Sequence, residues 1–132
     1  MLQAAALPQR GTDPMGSGHY GASRGSRTHN GVDYACYPET EIASPTFGTV
    51  TKLGYPYGDD LSYRYVEITD QFDKRHRVFY VEPSVQVGSL VHIGDVIGTA
   101  QDIEARYSGR GMKNHVHYEI KLEDGSFIDP ES

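Results

Sequence analysis

The chain has 132 residues, the length of one domain that can bury its own hydrophobic core. Its 15 Gly, 10 Tyr and 7 Pro residues favour strands and turns over long helices. A net charge of −6 argues against the basic surface of a nucleic-acid-binding protein, and the single cysteine excludes an internal disulfide bond.

The N-terminal part of the chain predicts a leader followed by a loop. Residues 1–13 have no basic region before their short apolar stretch, so we expect a flexible leader and no secretory signal peptide. Residues 14–28 are rich in Gly and Ser with almost no aliphatic side chains, which predicts an irregular surface loop. No apolar run approaches the ~20 residues of a membrane span. We expect a single domain over residues 14–132.

The rest of the chain predicts short strands separated by turns. Strand-like runs lie at residues 41–55, 63–70, 76–83, 85–100 and 114–130. The first, fourth and fifth each predict two strands around a turn, whereas residues 76–83 predict one central strand. In residues 63–70, Tyr65 falls on the face opposite Val66 and Ile68. No amphipathic helix of twelve residues or more is evident. The predicted fold is mostly β, an antiparallel sandwich or barrel-like sheet with long loops.

Two short motifs predict a metal site. His115 and His117 lie two residues apart in a predicted strand, so both imidazoles point to the same face. His29 and Asp33 lie four apart, and Gly31 between them lets the chain turn so that both side chains converge. Two histidines and one carboxylate are a typical ligand set for catalytic zinc, which keeps its fourth position open. The histidine left over can serve as a general base or bind the oxyanion.

The other candidate ligands are expected to have no such role. We expect His19, His76 and His92 to be exposed to solvent. Cys36 is expected to be a buried free thiol, not a zinc ligand, although it lies close to Asp33.

The motifs and their order along the chain resemble those of the lysostaphin-type, LytM-like zinc metallopeptidases, which cut peptidoglycan cross-bridges and stem peptides. The resemblance covers about residues 14–130 and includes a Gly-rich lead-in to His-x-Gly-x-Asp at residues 29–33. It continues through a Gly-Asp turn at residues 94–95, the His-x-His strand at 115–117 and the closing residues 125–130. The resemblance implies the LytM-like fold (duplicated hybrid motif), one zinc ion per chain and a peptidoglycan peptide as substrate.

The resemblance also implies a role for each site residue. His29, Asp33 and His117 would bind zinc, and His115 would orient or deprotonate the zinc-bound water. Active members usually carry a second helper histidine two residues after a strand tyrosine. When Tyr80 is aligned with that tyrosine, Glu82 stands where the histidine is expected.

Glu82 matters because an ionised carboxylate cannot donate a hydrogen bond and would repel an oxyanion. Three alternatives follow. Glu82 is protonated or turned away; Tyr80 or another residue substitutes for the histidine; or the site binds zinc but hydrolyses poorly. The non-catalytic leukocyte-derived chemotaxin branch of the fold is similar in this segment.

The expected function is therefore that of a zinc-dependent metalloendopeptidase of peptidoglycan. The alternative is a non-catalytic, zinc-stabilised module that binds cell-wall peptide or a protein partner. The tyrosine-rich residues 53–65 are expected to form a wall of the substrate cleft. We expect action on the cell wall, either as a phage particle or lysis component or as a domain of a larger secreted chain.

Overall fold

A computed structural model describes residues 31–106 and 114–130, together with the backbone of four two-residue strands nearer the N-terminus. Those four are Thr12–Asp13 (β1), Gly16–Ser17 (β2), Ser23–Arg24 (β3) and Arg27–Thr28 (β4). β1 pairs with β2, and β3 pairs with β4. The irregular loop predicted for residues 14–28 is therefore wrong where these strands lie. The leader predicted for residues 1–13 falls outside the described residues except at β1.

The described chain continues with strands and one short helix, which confirms the mostly β prediction. The strands are β5 (Val32–Ala35), β6 (Glu41–Ala43), β7 (Gly48–Gly54), β8 (Tyr65–Asp70), β9 (Arg75–Phe79), β10 (Val81–Pro83), β11 (Leu90–Val91), β12 (Val96–Ala100), β13 (His115–Lys121) and β14 (Phe127–Ile128). The helix α1 (Ile103–Arg106) has four residues, and within the described chain no helix could cross a membrane.

The strands of the described residues from β5 onward form two open antiparallel sheets. The larger has the order β11-β7-β8-β9-β13, and both β5 and β14 pair with the far edge of β13. The smaller has the order β10-β12-β6. These sheets do not close into a barrel.

One buried cluster joins the two sheets. From the larger sheet it contains Val66, Ile68, Val78, Val116 and Tyr118, among others, and from the smaller sheet it contains Ile42, Val81 and Ile97. Because side chains alternate along a strand, the other face of the larger sheet carries Tyr65, Glu67, Arg77 and Glu119. The predicted opposition of Tyr65 to Val66 and Ile68 is confirmed. The histidines of β13 lie on this second face.

The single strand predicted for residues 76–83 is wrong. β9 ends at Phe79, Tyr80 has a φ of 70°, and β10 begins at Val81 in the smaller sheet. A positive φ is rare for a bulky residue and marks a sharp change of chain direction. The Tyr80 and Val81 N–H groups both donate to the Arg64 carbonyl, at 2.8 and 3.2 Å. Apolar residues on both sides of this turn made the segment look continuous.

His76 was predicted to be exposed, and this is wrong. Its side chain is buried between two partners, with Nε2 2.8 Å from Asp70 Oδ2 and Nδ1 2.8 Å from the Tyr118 hydroxyl. Because a carboxylate only accepts, the neutral ring carries its proton on Nε2 and accepts from Tyr118 at Nδ1. Burial lowers the pKa of His76 below its ordinary value, although the hydrogen bond to Asp70 opposes this. His92 is exposed as predicted, and His19 lies outside the described residues.

The buried His76 predicts a loss of stability in mild acid. The folded chain holds the ring neutral beside Asp70, Tyr118 and Lys74, whereas the unfolded chain takes up a proton near pH 6.5. The free energy of unfolding should therefore fall as the pH drops below about 6.5, by at most about 1.4 kcal/mol per pH unit for this group. Urea unfolding at pH values from 7.5 to 5.5 gives the free energy of unfolding of wild type and of His76→Gln. The difference between these two free energies should shrink as the pH falls. A difference that stays constant with pH would contradict the prediction.

Candidate active site

The pairing of β5 with β13 assembles the site. Asp33 lies directly opposite His117, and Ala35 lies opposite His115. Side chains opposite each other on neighbouring strands have Cβ atoms about 5 Å apart, close enough for direct contact. Asp33 and His115 are 1% and 4% exposed, so these polar groups are withdrawn from water. The strand pairing therefore places the Asp33 carboxylate beside the imidazoles of His115 and His117 on one face of the sheet.

Each imidazole lies next to a different oxygen of the Asp33 carboxylate. His117 Nδ1 lies 2.9 Å from Oδ1, which is a hydrogen bond. His115 Nε2 lies 3.6 Å from Oδ2, an ion-pair distance. The two rings thus present different nitrogens to one carboxylate. The fourth predicted member of the site, His29, lies outside the described residues.

The second nitrogen of His117 has a partner that the sequence analysis missed. Nε2 lies 3.0 Å from Glu119 Oε1, so the ring is held between two carboxylates. Burial opposes the charged ring, but the hydrogen bonds to Asp33 and Glu119 outweigh it and raise the pKa of His117 to about 9. This position therefore favours positive charge. The signal was present in the sequence, because Glu119 follows His117 by two residues and shares its face.

Gly31 packs closely against the site. A Cβ there would overlap the Tyr118 carbonyl oxygen and lie 2.8 Å from His117 Cε1 and 2.9 Å from Nε2. The glycine therefore allows the backbone to lie against the His117 ring. The predicted turn between His29 and Asp33 includes residues outside the described ranges and stays a prediction.

The described donors suit a zinc ion. A carboxylate and an imidazole are borderline to hard ligands, which zinc accepts. In zinc sites, the second ring nitrogen of a ligating histidine is commonly hydrogen-bonded to a carboxylate. Within residues 31–106 and 114–130, no group of three or more His, Cys, Asp or Glu side chains is arranged to hold a metal ion. Of the predicted ligands, these ranges contain Asp33 and His117. Cys36, expected to be buried, is half-buried, and burial raises the pKa of its thiol to about 11.

The turn at Tyr80 places two predicted residues in different surroundings. The Tyr80 ring meets the His115 ring edge-on, with 5.6 Å between the centroids. Glu82 pairs with Thr99 in the smaller sheet, and its side chain is exposed. The structure therefore brings Tyr80 to His115 and leaves Glu82 facing solvent.

Part of the tyrosine-rich segment adjoins Tyr80. The Tyr57 ring stacks on Tyr80 at 6.2 Å, and the Tyr63 ring meets it edge-on at 6.5 Å. Arg106 lies 3.7 Å from the centre of the Tyr57 ring and pairs with Asp60 at 3.2 Å. These contacts join the segment to the site through Tyr80. Its role as a cleft wall stays a prediction.

Comparison with known proteins places the chain in context. The model of "Peptidase family M23" matches residues 27–130. Among curated proteins, leukocyte cell-derived chemotaxin-2 from Bos taurus is 26% identical over 110 residues, covering 83% of this chain and 71% of that protein.

Two solved structures show the same fold. The first is a mutant catalytic domain of the prophage-encoded M23 protein EnpA from Enterococcus faecalis. It has a TM-score of 0.72 and 20% identity, and the match covers 97% of this chain and 92% of that one. The second is the catalytic domain of the antimicrobial peptidase lysostaphin from Staphylococcus simulans, with a TM-score of 0.66, 21% identity and coverage of 88% and 86%. The resemblance to lysostaphin-type and LytM-like proteins is confirmed.

The close packing at Gly31 predicts a specific loss of stability. In Gly31→Ala the added methyl group overlaps the Tyr118 carbonyl and pushes on the His117 ring. We expect the free energy of unfolding to fall by about 1–3 kcal/mol, as for other overpacked sites. Gly58→Ala is the matched control, because a Cβ at Gly58 meets no atom within 4 Å. Equal unfolding midpoints for the two variants in urea would contradict the assigned packing.

Proposed function

Because the chain belongs to peptidase family M23, we propose that it is a zinc-dependent metalloendopeptidase that hydrolyses peptide bonds in peptidoglycan cross-bridges or stem peptides. The observation that carries this proposal is the buried Asp33 carboxylate held by both histidines of β13, at 2.9 and 3.6 Å. Such a cluster is costly to bury without a function or a bound cation.

The proposed zinc ligands are His29, Asp33 and His117. A bound zinc ion would polarise the scissile carbonyl and lower the pKa of a water molecule. Asp33 offsets the charge of the cation. His117 would offer Nδ1, the nitrogen that faces the other proposed ligand Asp33, while its Nε2 faces Glu119.

His115 is the proposed general base and acid. Its Nε2 faces the same carboxylate as His117, and its ring meets the Tyr80 ring edge-on. A histidine in this place accepts a proton from the attacking water and then delivers it to the amine that leaves. Its burial keeps bulk water from competing for that proton.

Tyr80 is the proposed substitute for the helper histidine. A phenol donates a hydrogen bond to a developing oxyanion, which an ionised Glu82 cannot do. The edge-on contact of Tyr80 with His115 and the exposure of Glu82 support this choice among the three alternatives. The Tyr57 hydroxyl donates to that of Tyr80 at 3.5 Å, at the long limit for such a bond.

The family supports a peptidoglycan substrate and action on the cell wall. We propose that Tyr57 and Tyr63 form one wall of the cleft, since both rings contact Tyr80. The protein would act on the cell wall, as a phage particle or lysis component or as a domain of a larger secreted chain.

The second candidate function is a non-catalytic module that binds zinc and recognises cell-wall peptide or a protein partner. Glu82 favours it, because the position of the helper histidine is occupied by a carboxylate. A curated relative named a chemotaxin, and not a peptidase, points the same way. The buried His115 favours the enzyme, since binding alone does not need a second histidine at Asp33.

Cleavage of peptidoglycan is the direct test. Zinc-loaded wild type should release new amino termini from peptidoglycan of at least one cross-link type, detected by mass spectrometry. His115→Ala should keep its zinc and lose turnover by a factor of roughly 10² or more, because the proton acceptor is gone. No cleavage of any type by a wild type with zinc bound would support the binding module instead.

Removal of the carboxylate tests the metal ligands. Asp33→Ala should reduce zinc content after dialysis, because a ligand that neutralises part of the dication is lost. Metal analysis of purified protein gives the zinc per chain. Asp95→Ala, which removes an exposed carboxylate, is the control and should match wild type. Full zinc occupancy in a folded Asp33→Ala protein would refute Asp33 as a ligand.

A further inference from the structure

A row of buried charges crosses the larger sheet and ends at His117. Glu119 of β13 lies opposite Arg77 of β9, and Arg77 lies opposite Glu67 of β8. All three side chains are on the face that carries the histidines, away from the apolar core. Glu67 and Glu119 are 6% and 7% exposed.

Direct contacts connect the members of the row. Arg77 Nε donates to Glu67 Oε2 at 2.8 Å, and Arg77 Nη1 donates to Glu119 Oε2 at 3.5 Å. The Thr51 hydroxyl donates to Glu67 Oε1 at 2.9 Å. The other Glu119 oxygen, Oε1, is the one that meets His117 Nε2 at 3.0 Å. Each carboxylate thus uses one oxygen for Arg77 and the other for a different partner.

The charges of the row do not cancel among themselves. Two buried carboxylates face one guanidinium, which leaves one negative charge to be matched. An unmatched buried charge is costly, and a buried ion pair adds little net stability compared with apolar residues. Arg77 therefore matches the charge of only one of the two carboxylates. Glu119, the second, has the Nε2–H group of His117 as its further hydrogen-bond donor.

The geometry also decides which ring nitrogen is available. Both ring nitrogens of His117 are hydrogen-bonded, Nε2 to Glu119 at 3.0 Å and Nδ1 to Asp33 at 2.9 Å, but of these two carboxylates only Asp33 is a proposed zinc ligand. Ligating histidines generally donate their other N–H to a carboxylate or carbonyl, which sets the tautomer and the orientation of the ring. Glu119 meets this requirement, and Arg77 limits how Glu119 can move.

We propose that Glu119 is the positioning residue of His117: it accepts the Nε2 proton and aims Nδ1 at the metal, and Arg77, anchored on Glu67, holds Glu119 in place. This rests on the proposed function, because it takes His117 as a zinc ligand.

The test compares two buried carboxylates of the same row. Glu119→Gln and Glu67→Gln each remove one charge beside Arg77, but Glu119 alone touches His117. Zinc affinity of the full chain is measured by competition with a chromophoric chelator, and folding is checked by urea unfolding of the metal-free proteins. We expect Glu119→Gln to weaken zinc binding roughly 10- to 100-fold and Glu67→Gln to weaken it far less. Equal losses in both, or none in Glu119→Gln, would overturn the proposal.

A second measurement needs no variant. In the zinc-loaded wild type, ¹⁵N NMR of the His117 ring should show the proton on Nε2 and none on Nδ1. The opposite tautomer would overturn the proposal. A wild type that binds zinc but cleaves no peptidoglycan would refute the enzymatic function and leave this comparison of affinities intact. A wild type that binds no zinc would overturn both.

Discussion

The site depends on one strand pairing between distant parts of the chain. Asp33 and His117 are 84 residues apart in sequence, and the register of β5 on β13 sets them opposite each other. A shift of one residue would turn Asp33 to the other face of the sheet, toward the apolar core. The carboxylate would then lose both imidazoles. The register is held by Val32 and Tyr34, which flank Asp33 and are buried in the core on that other face.

The larger sheet thus serves two purposes with its two faces. One face, with Val66, Val78 and Val116, packs on the smaller sheet and supplies the hydrophobic stabilisation. The other face holds Asp33, the two histidines and the charged row that leads to Arg77. Because the strands are rigid, the polar groups keep their positions without a flexible loop. This arrangement suits a site in which a metal and a proton acceptor must lie at fixed positions.

The turn at Tyr80 joins the two sheets and completes the surroundings of His115. Its positive φ sends the chain from β9 into β10 and directs the tyrosine ring at His115. The same turn removes Glu82 from that face. Glu82, where the resemblance places a helper histidine, is exposed, and the ring beside His115 is that of Tyr80. Strain at such a residue is typical of functional sites.

The sequence by itself determined the mostly β fold, the family and the same-face placement of His115 and His117, because these depend on composition, motif order and the two-residue period of a strand. It did not determine the break at Tyr80, the burial of His76 or the contact of Glu119 with His117. Those depend on which strands are neighbours and in which register they pair, and apolar residues on both sides of Tyr80 conceal the change of sheet. Only the tertiary structure decided them, because the partners of Tyr80 and His76 lie far along the chain and a local pattern carries no information about distant partners.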